Sequence, residues 1–372
     1  MNNATMSEAL FDLTPTEDQQ MTQDMVRRFV ADVMGPQARA ADEAATLPEG
    51  FLDQVFELGF SFMPVPEDLG GAGEGRRPVS NVLLMENLAA GDLSMAVAAL
   101  APLSVINCLL DYGNRAQQER VFRVLNGSAF VPAALAVHEP GIATDPHAPA
   151  TTATKAGDGY VLHGAKSMVA FGADARFIVV TALLDDGVAA FLLDTDNDAE
   201  GLSFKPEQYM GLRSLPLFQI TLDKVSLPAS ARLDNDFSID GLLQRGRIAA
   251  AALATGTCQA VLDYVVPYVN ERVAFGEPIS NRQAVAFMVA DMATELEAMQ
   301  LLNWRAAAQL EQGLDCARAA YLAQRHASKY GMKIGTDGVQ LFGGHGFIRE
   351  HPLEMWYRNL RAVPLLGGLV LA

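Results

Sequence analysis

Cysteine is scarce in this chain of 372 residues: Cys108, Cys258 and Cys316 stand far apart and show no metal-ligand spacing. That excludes a disulfide scaffold and points to a reducing compartment. Histidine is scarce too, and its six copies include no His-x-x-x-His pair, the spacing that puts two imidazoles on one helix face. Basic residues are outnumbered, 27 Lys and Arg against 44 Asp and Glu, for a net charge of −17. This balance argues against broad nucleic-acid binding or anchoring on anionic lipid, although an acidic whole can hold a local basic pocket for an anionic cofactor. No long run is free of polar residues. The nearest, Ile248 to Val266, is rich in alanine but carries Thr255, Gln259, Asp263 and Tyr264, and reads as a buried helix, not a membrane span. Met1 to Gln20 is polar and acidic, without the basic and apolar regions of a signal peptide. Internal repeats and low-complexity tracts are missing as well. The expectation is a soluble, cytoplasmic protein.

Apolar residues are plentiful. Half of the chain is hydrophobic, enough for a sizeable core and for two or three domains. Leu13-Thr14-Pro15-Thr16, followed by Glu17 and Asp18, is a helix start. Met21, Met25, Val26, Phe29, Val30 and Val33 then recur at helical spacing until Gly35-Pro36, which is expected to stop the run. Further helices are predicted over 48–59, 85–110 and 115–125, with a Pro- and Gly-rich loop from Phe60 to Gly73. The texture changes at Ala129. Short β-branched or aromatic runs follow at 130–137, 159–163, 177–183, 188–193, 202–204 and 218–225, punctuated by turns such as Gly157-Asp158-Gly159 and Asp185-Asp186-Gly187. They predict a small antiparallel sheet or barrel. From Phe237 the pattern is helical again, over 242–271, 282–311 and 316–339. The expected division is an N-terminal all-α domain (1–128), a middle antiparallel β domain (129–235) and a C-terminal four-helix bundle (236–372).

The densest signal lies in the last fifth of the chain. The run up to Gln340 reads as a helix, and Gly343, Gly344 and Gly346 break it. Three such glycines mark either a helix C-cap and turn or a place of close backbone approach. The wording around them is Gln340-Leu341-Phe342-Gly343-Gly344-His345-Gly346-Phe347, then Glu350-His351-Pro352-Leu353-Glu354 and Trp356-Tyr357-Arg358-Asn359. It resembles the C-terminal signature of the acyl-CoA dehydrogenase family. The loop Pro66-Glu67-Asp68-Leu69-Gly70-Gly71-Ala72-Gly73 and the order of helices, β domain and bundle resemble that family too, so the likeness covers nearly the whole chain.

The resemblance implies FAD, lying between the β domain and the bundle and gripped partly by the neighbouring subunit of a dimer. The gripping motif stands here as Glu271-Arg272-Val273-Ala274-Phe275-Gly276, with Gln283 opening the next helix and Gln340, Gly343 and Gly344 completing the set. A guanidinium can fork onto a diphosphate and an amide can bond its oxygens or the adenine, although an isolated Arg at a helix end is usually a dipole partner or a solvated charge. The family segment Thr-Glu-Pro-Gly-Ala-Gly-Ser-Asp reads His138-Glu139-Pro140-Gly141-Ile142-Ala143-Thr144-Asp145. The family Trp and Thr that meet the flavin ring are Met168 and Ala170, within Lys166 to Gly172. Met168 can still pack on a ring, but Ala170 cannot donate a hydrogen bond. His138 is either a base and flavin partner or a satisfied polar group. Arg247 matches the family arginine on the acyl-CoA side.

Dehydrogenation removes a proton α to a thioester while a hydride leaves the β carbon, so it needs a positioned carboxylate and donors for the enolate oxygen. The family supplies that glutamate from one of two addresses. One is Gly367 here, within Leu365-Leu366-Gly367-Gly368-Leu369, and the other is Gly246, just before Arg247. Both are glycine, and the five residues after Gly367 leave a further cofactor contact of the family without a counterpart. The residues kept reach into a neighbour's site, whereas those lost serve the chain's own. This asymmetry favours the non-catalytic subunit of a heteromeric, dimer-of-dimers acyl-CoA dehydrogenase, passing electrons to an electron-transfer acceptor and acting on fatty or bulky, sterol-type acyl-CoAs. Three other readings stay open: a homomeric flavoprotein running other acyl-CoA chemistry, a cofactor-free scaffold, and an ordinary enzyme whose base is Glu354, Glu350 or His138.

Overall fold

The computed structural model describes residues 14–185, 187–233 and 236–372. The expectations for Met1 to Leu13, and for the middle residue of the Asp185-Asp186-Gly187 turn, lie outside these residues. Thr16 starts helix α1 (Glu17–Phe29) with a reciprocal cap: its hydroxyl accepts the Gln19 N–H, and the Gln19 side chain accepts the Thr16 N–H at 2.9 Å. Gly35-Pro36 does not stop the run. A π turn, Val30–Met34, intervenes and the chain continues directly into α2 (Gly35–Ala44), with the proline in its first turn. A wider turn placed before a proline absorbs its missing N–H, so the helix passes through.

Helix α3 (Phe51–Glu57) is followed by α4 (Pro78–Gly91), α5 (Leu93–Tyr112) and α6 (Arg115–Leu125). The single helix expected over 85–110 is therefore two. Asp92 leaves helical geometry and caps α5, its carboxylate accepting the Met95 N–H at 2.9 Å. In the middle region the strands are β1 (Ala133–Ala136), β2 (Thr152–Ala156), β3 (Gly159–Ala170), β4 (Phe177–Leu184), β5 (Gly187–Asp194), β6 (Leu202–Glu207) and β7 (Leu217–Pro228). The sheet is mixed rather than purely antiparallel. β1 and β2 both run parallel to β4, sharing one of its edges, while β5 lies antiparallel on the other. β3 continues antiparallel from β2, then β7 and β6. The partner of β1 lies about forty residues on in the chain, too far for any hairpin to dictate its direction.

The last third opens with α7 (Ile239–Glu271), capped by Ser238 and, at 33 residues, about 50 Å long. After a small hairpin, β8 (Val273–Ala274) and β9 (Glu277–Pro278), come α8 (Gln283–Glu311), α9 (Ala317–Phe342) and the short α10 (Leu353–Leu360), so the bundle has three long helices and one short one. Helix α4 packs along α7 and α8, joining the two helical regions into one core. Helices α5 and α7 are long and apolar enough to cross a membrane by composition, yet α5 is 94 % buried over its apolar window and α7 72 %. Both are interior helices, as the Ile248–Val266 reading expected for α7.

Candidate active site

Gly246 lies two turns into α7, and Gly367 is the next-to-last residue of a 3-10 turn, Val363–Gly368, that packs against that helix. A Cβ on Gly246 would overlap the carbonyl oxygen of Gly367. The two addresses for a catalytic carboxylate thus coincide in space, and backbone fills the point where they meet. The next residue, Gly368, meets the imidazole of His138, where a Cβ would stand 2.5 Å from Nε2. That nitrogen donates to the Leu365 carbonyl at 2.8 Å; a carbonyl only accepts, so Nε2 carries the proton and Nδ1 is the free acceptor. Burial depresses the pKa of His138, the Leu365 bond opposes that, and the nearby Lys166 charge adds to it. The ring is therefore neutral near pH 7.

His138 also fixes β3, accepting the Ser167 N–H on its carbonyl at 3.0 Å. The strand bulges just beyond, and Met168 takes a left-handed conformation with φ of 57°. Its N–H donates to Glu207 Oε2 at 2.7 Å, and the Ser167 hydroxyl donates to the same carboxylate at 2.8 Å. The side chains of Met168 and Ala170 are both buried in the core. So the groups that the resemblance would aim at a flavin ring are spent within the chain. Glu207 was not foreseen in the sequence, because only the fold brings β6 beside this bulge. Arg247 is half-buried, with its guanidinium 5.8 Å from the Tyr321 ring centroid.

The residues assigned to a neighbour's cofactor behave oppositely. Arg272, Phe275, Gln283, Gln340, Gly343 and Gly344 are all exposed. Arg272 caps α7 through its backbone N–H on the Tyr268 carbonyl at 2.8 Å, which frees the side chain from any role inside the helix. Phe275 is 96 % exposed at the tip of the β8–β9 hairpin, where it and Gly276 take the turn at positive φ. Arg282 supports it from the side, 5.8 Å from its ring centroid, while bonding Glu277 at 3.0 Å. Gly343, at φ of 55°, and Gly344 have no atom within 4 Å of where a Cβ would be.

Glu354 and Glu350 are the two carboxylates expected as alternative bases. Glu354 is tied to Arg39 and to Arg358. Burial alone would raise its pKa, but the two guanidiniums outweigh it and hold the group below its ordinary value. Glu350 is exposed on the surface. Buried Glu86, pushed up to about 8 by desolvation and bonded to the Trp304 indole, looks like a tuned acid. It packs against Gly256, however, and 256 − 246 is ten residues, or about 15 Å along α7 from the glycine contact.

This arrangement can be set beside known proteins. The chain matches the acyl-CoA dehydrogenase N-terminal domain over residues 16–127, the middle domain over 134–225 and the C-terminal domain over 238–369. The chain belongs to the acyl-CoA dehydrogenase family. Among curated relatives, the 3-(aryl)acrylate reductase of Clostridium sporogenes is 31 % identical over 365 residues, covering 95 % of each chain. Among solved structures, butyryl-CoA dehydrogenase from Megasphaera elsdenii superposes with a TM-score of 0.88 at 30 % identity, covering 96 % of both chains. A chain of the electron transferring flavoprotein structure from Acidaminococcus fermentans does so with 0.87 at 31 %, again over 96 % of each. Family members are FAD-dependent oxidoreductases acting on CH–CH bonds. In this acyl-CoA dehydrogenase chain the exposed set suits one end of FAD: an accessible guanidinium, amides and two bare glycines can meet a diphosphate and adenine. The interior set does not suit the ring, because Gly246, Gly367, Gly368 and His138 already touch one another.

Proposed function

We propose that this chain is the non-catalytic subunit of a heteromeric acyl-CoA dehydrogenase, completing the FAD site of a catalytic partner chain in a dimer of dimers. One observation carries the reading: the cross-subunit residues are exposed and uncrowded, while both addresses for the base are glycines pressed together. Arg272 neutralises the diphosphate of the partner-held cofactor, Gln283 and Gln340 bond its polar edge, and Gly343 and Gly344 let backbone N–H groups approach. Phe275 lies against the partner to exclude water. FAD, when bound, supplies the acceptor for the β hydride, and the partner supplies the carboxylate that takes the α proton. Without a base, activity of the lone chain is lower by about two to four orders of magnitude. Arg247, kept beside a closed cleft, packs on Tyr321 here instead of holding substrate.

The substrate class is an acyl-CoA, fatty or bulky, taken up by the partner. The likeness to the Acidaminococcus chain supports an electron-transferring flavoprotein as acceptor, and three buried free cysteines suit the cytoplasm. The closure at Gly246 also counts against a homomeric enzyme with an unrecognised base. The test is the visible spectrum of the protein purified alone and then co-expressed with a catalytic acyl-CoA dehydrogenase chain that carries the glutamate. Colourless protein alone and a yellow complex with less than one flavin per chain are expected. Full flavin occupancy alone would overturn the reading.

A further inference from the structure

The 3-10 turn that carries Gly367 does not lead back to the surface. Leu366, Val370, Leu371 and Ala372 have no exposed area, and Leu369 is nearly as buried. They are held by side chains of α5 and by the loop before α4. The Leu371 N–H donates to the Ser104 hydroxyl at 3.1 Å, and the Ser104 O–H donates to the Leu100 carbonyl at 2.9 Å. Asn107 Nδ2 donates to the Leu371 carbonyl at 3.3 Å, and Arg76 Nη2 donates to the Ala372 carbonyl at 2.5 Å. From the α7 side the Arg245 carbonyl accepts the Ala372 N–H at 3.3 Å. The segment therefore lies between α5 and α7 and starts from the point where Gly246 and Gly367 meet.

That direction matters. An acyl group whose α carbon sat beside either address of the base, and whose alkyl chain ran inward, would meet the space between the same two helices. We propose that Leu366–Ala372 fills this chain's own acyl slot, so that the subunit masks a latent fatty-acyl binding site with its own backbone and leucines. The apolar lining that would hold an alkyl chain is thereby satisfied internally. The polar fit is incomplete: among the described residues, Arg76 Nε and Asn107 Oδ1 are buried without a hydrogen-bond partner. The inference rests on the heteromeric reading only for where the acyl-CoA goes instead, namely to the partner.

The experiment is a fluorescence titration of the full chain, alone, with cis-parinaric acid, whose emission rises in an apolar slot. Wild-type protein should show no saturable rise. Leu371→Asp puts an unpaired carboxylate into the seat, expels the segment, and should give one saturable site per chain at least about tenfold tighter than wild type. Ser104→Ala removes the acceptor of the Leu371 N–H together with the hydroxyl's own bond inside α5, and should give a smaller gain in the same direction, which decides the matter if Leu371→Asp does not fold. Wild-type binding as tight as that of either folded variant, or folded variants with no gain, would overturn the proposal. Neither flavin nor partner is in the cuvette, so this result stands apart from the flavin test: a colourless complex would not move this titration, and a failed titration would leave the flavin result intact.

Discussion

Glycine does opposite work in two regions of this molecule. At Gly343 and Gly344 the missing side chains leave open space on an exposed surface. At Gly246, Gly367 and Gly368 the missing side chains admit other parts of the same chain, a carbonyl in one case and an imidazole in another. A glycine at a functional address therefore signals close approach without saying by what. In the first region nothing among the described residues supplies the approaching group, which leaves room for a ligand held elsewhere. In the second the chain supplies it, which under the proposed function is what closes the site.

Substitutions can break or sharpen this contrast. The largest effect is expected at Gly246→Ala, where a methyl group meets backbone that cannot move aside: a loss of about 3 kcal/mol or more in denaturant melts. Gly367→Ala is the matched control. Its Cβ would find the Gln324 amide at 3.4 Å, the far end of a flexible side chain, and should cost about 1 kcal/mol or less. Equal losses at the two positions would mean that the glycine contact is not what closes the cleft. Next is Arg272→Ala, which should lower flavin affinity of the heteromeric complex about tenfold or more, as loss of a charge-assisted bond does. It should leave the melting temperature of the lone chain unchanged, a split that a purely structural arginine would not give.

A pH effect follows from His138. Its pKa is depressed in the folded chain, by burial first, so the folded state binds fewer protons than the unfolded state. The stability it contributes is complete above its ordinary 6.5 and is lost as pH falls below that value through the lowered one. His138→Gln, which keeps a donor for the Leu365 carbonyl, should flatten this part of the profile; an unchanged slope would remove His138 from the account. The smallest effect is expected at the open glycines. Gly344→Ala should be neutral for the lone chain within about 0.5 kcal/mol, and Gly343→Ala should cost about 1 kcal/mol for its positive φ, each read by thermal melts.

Much of this was legible in the sequence. The helix over 115–125 was bounded by Asn114, which caps it, and by the Asn126-Gly127 pair after it, all local signals. The long helices were legible because α7, α8 and α9 are continuous apolar patterns between turn residues. The residues proposed to meet the cofactor came from the resemblance, whose wording lies in two local stretches, 271–283 and 340–344. What could not be read depends on contacts between distant residues. β2, Thr-Ala-Thr-Lys-Ala, alternates weakly and is a strand because β3 and β4 flank it. Glu207 meets Met168 across 39 positions. The meeting of Gly246 with Gly367 spans 121 positions, 367 − 246, and a missing side chain leaves no pattern to follow. Gly35-Pro36 misled for a different reason: a π turn is a shift in helix winding, and residue types do not announce it.

The Phe275 hairpin tip also bears on how such a subunit is made. Under the proposed assembly, the benzyl group at the end of this two-stranded finger stays in water until the counterpart chain covers it. On that reading, the solvent exposure of this one ring reports how much of the chain is assembled.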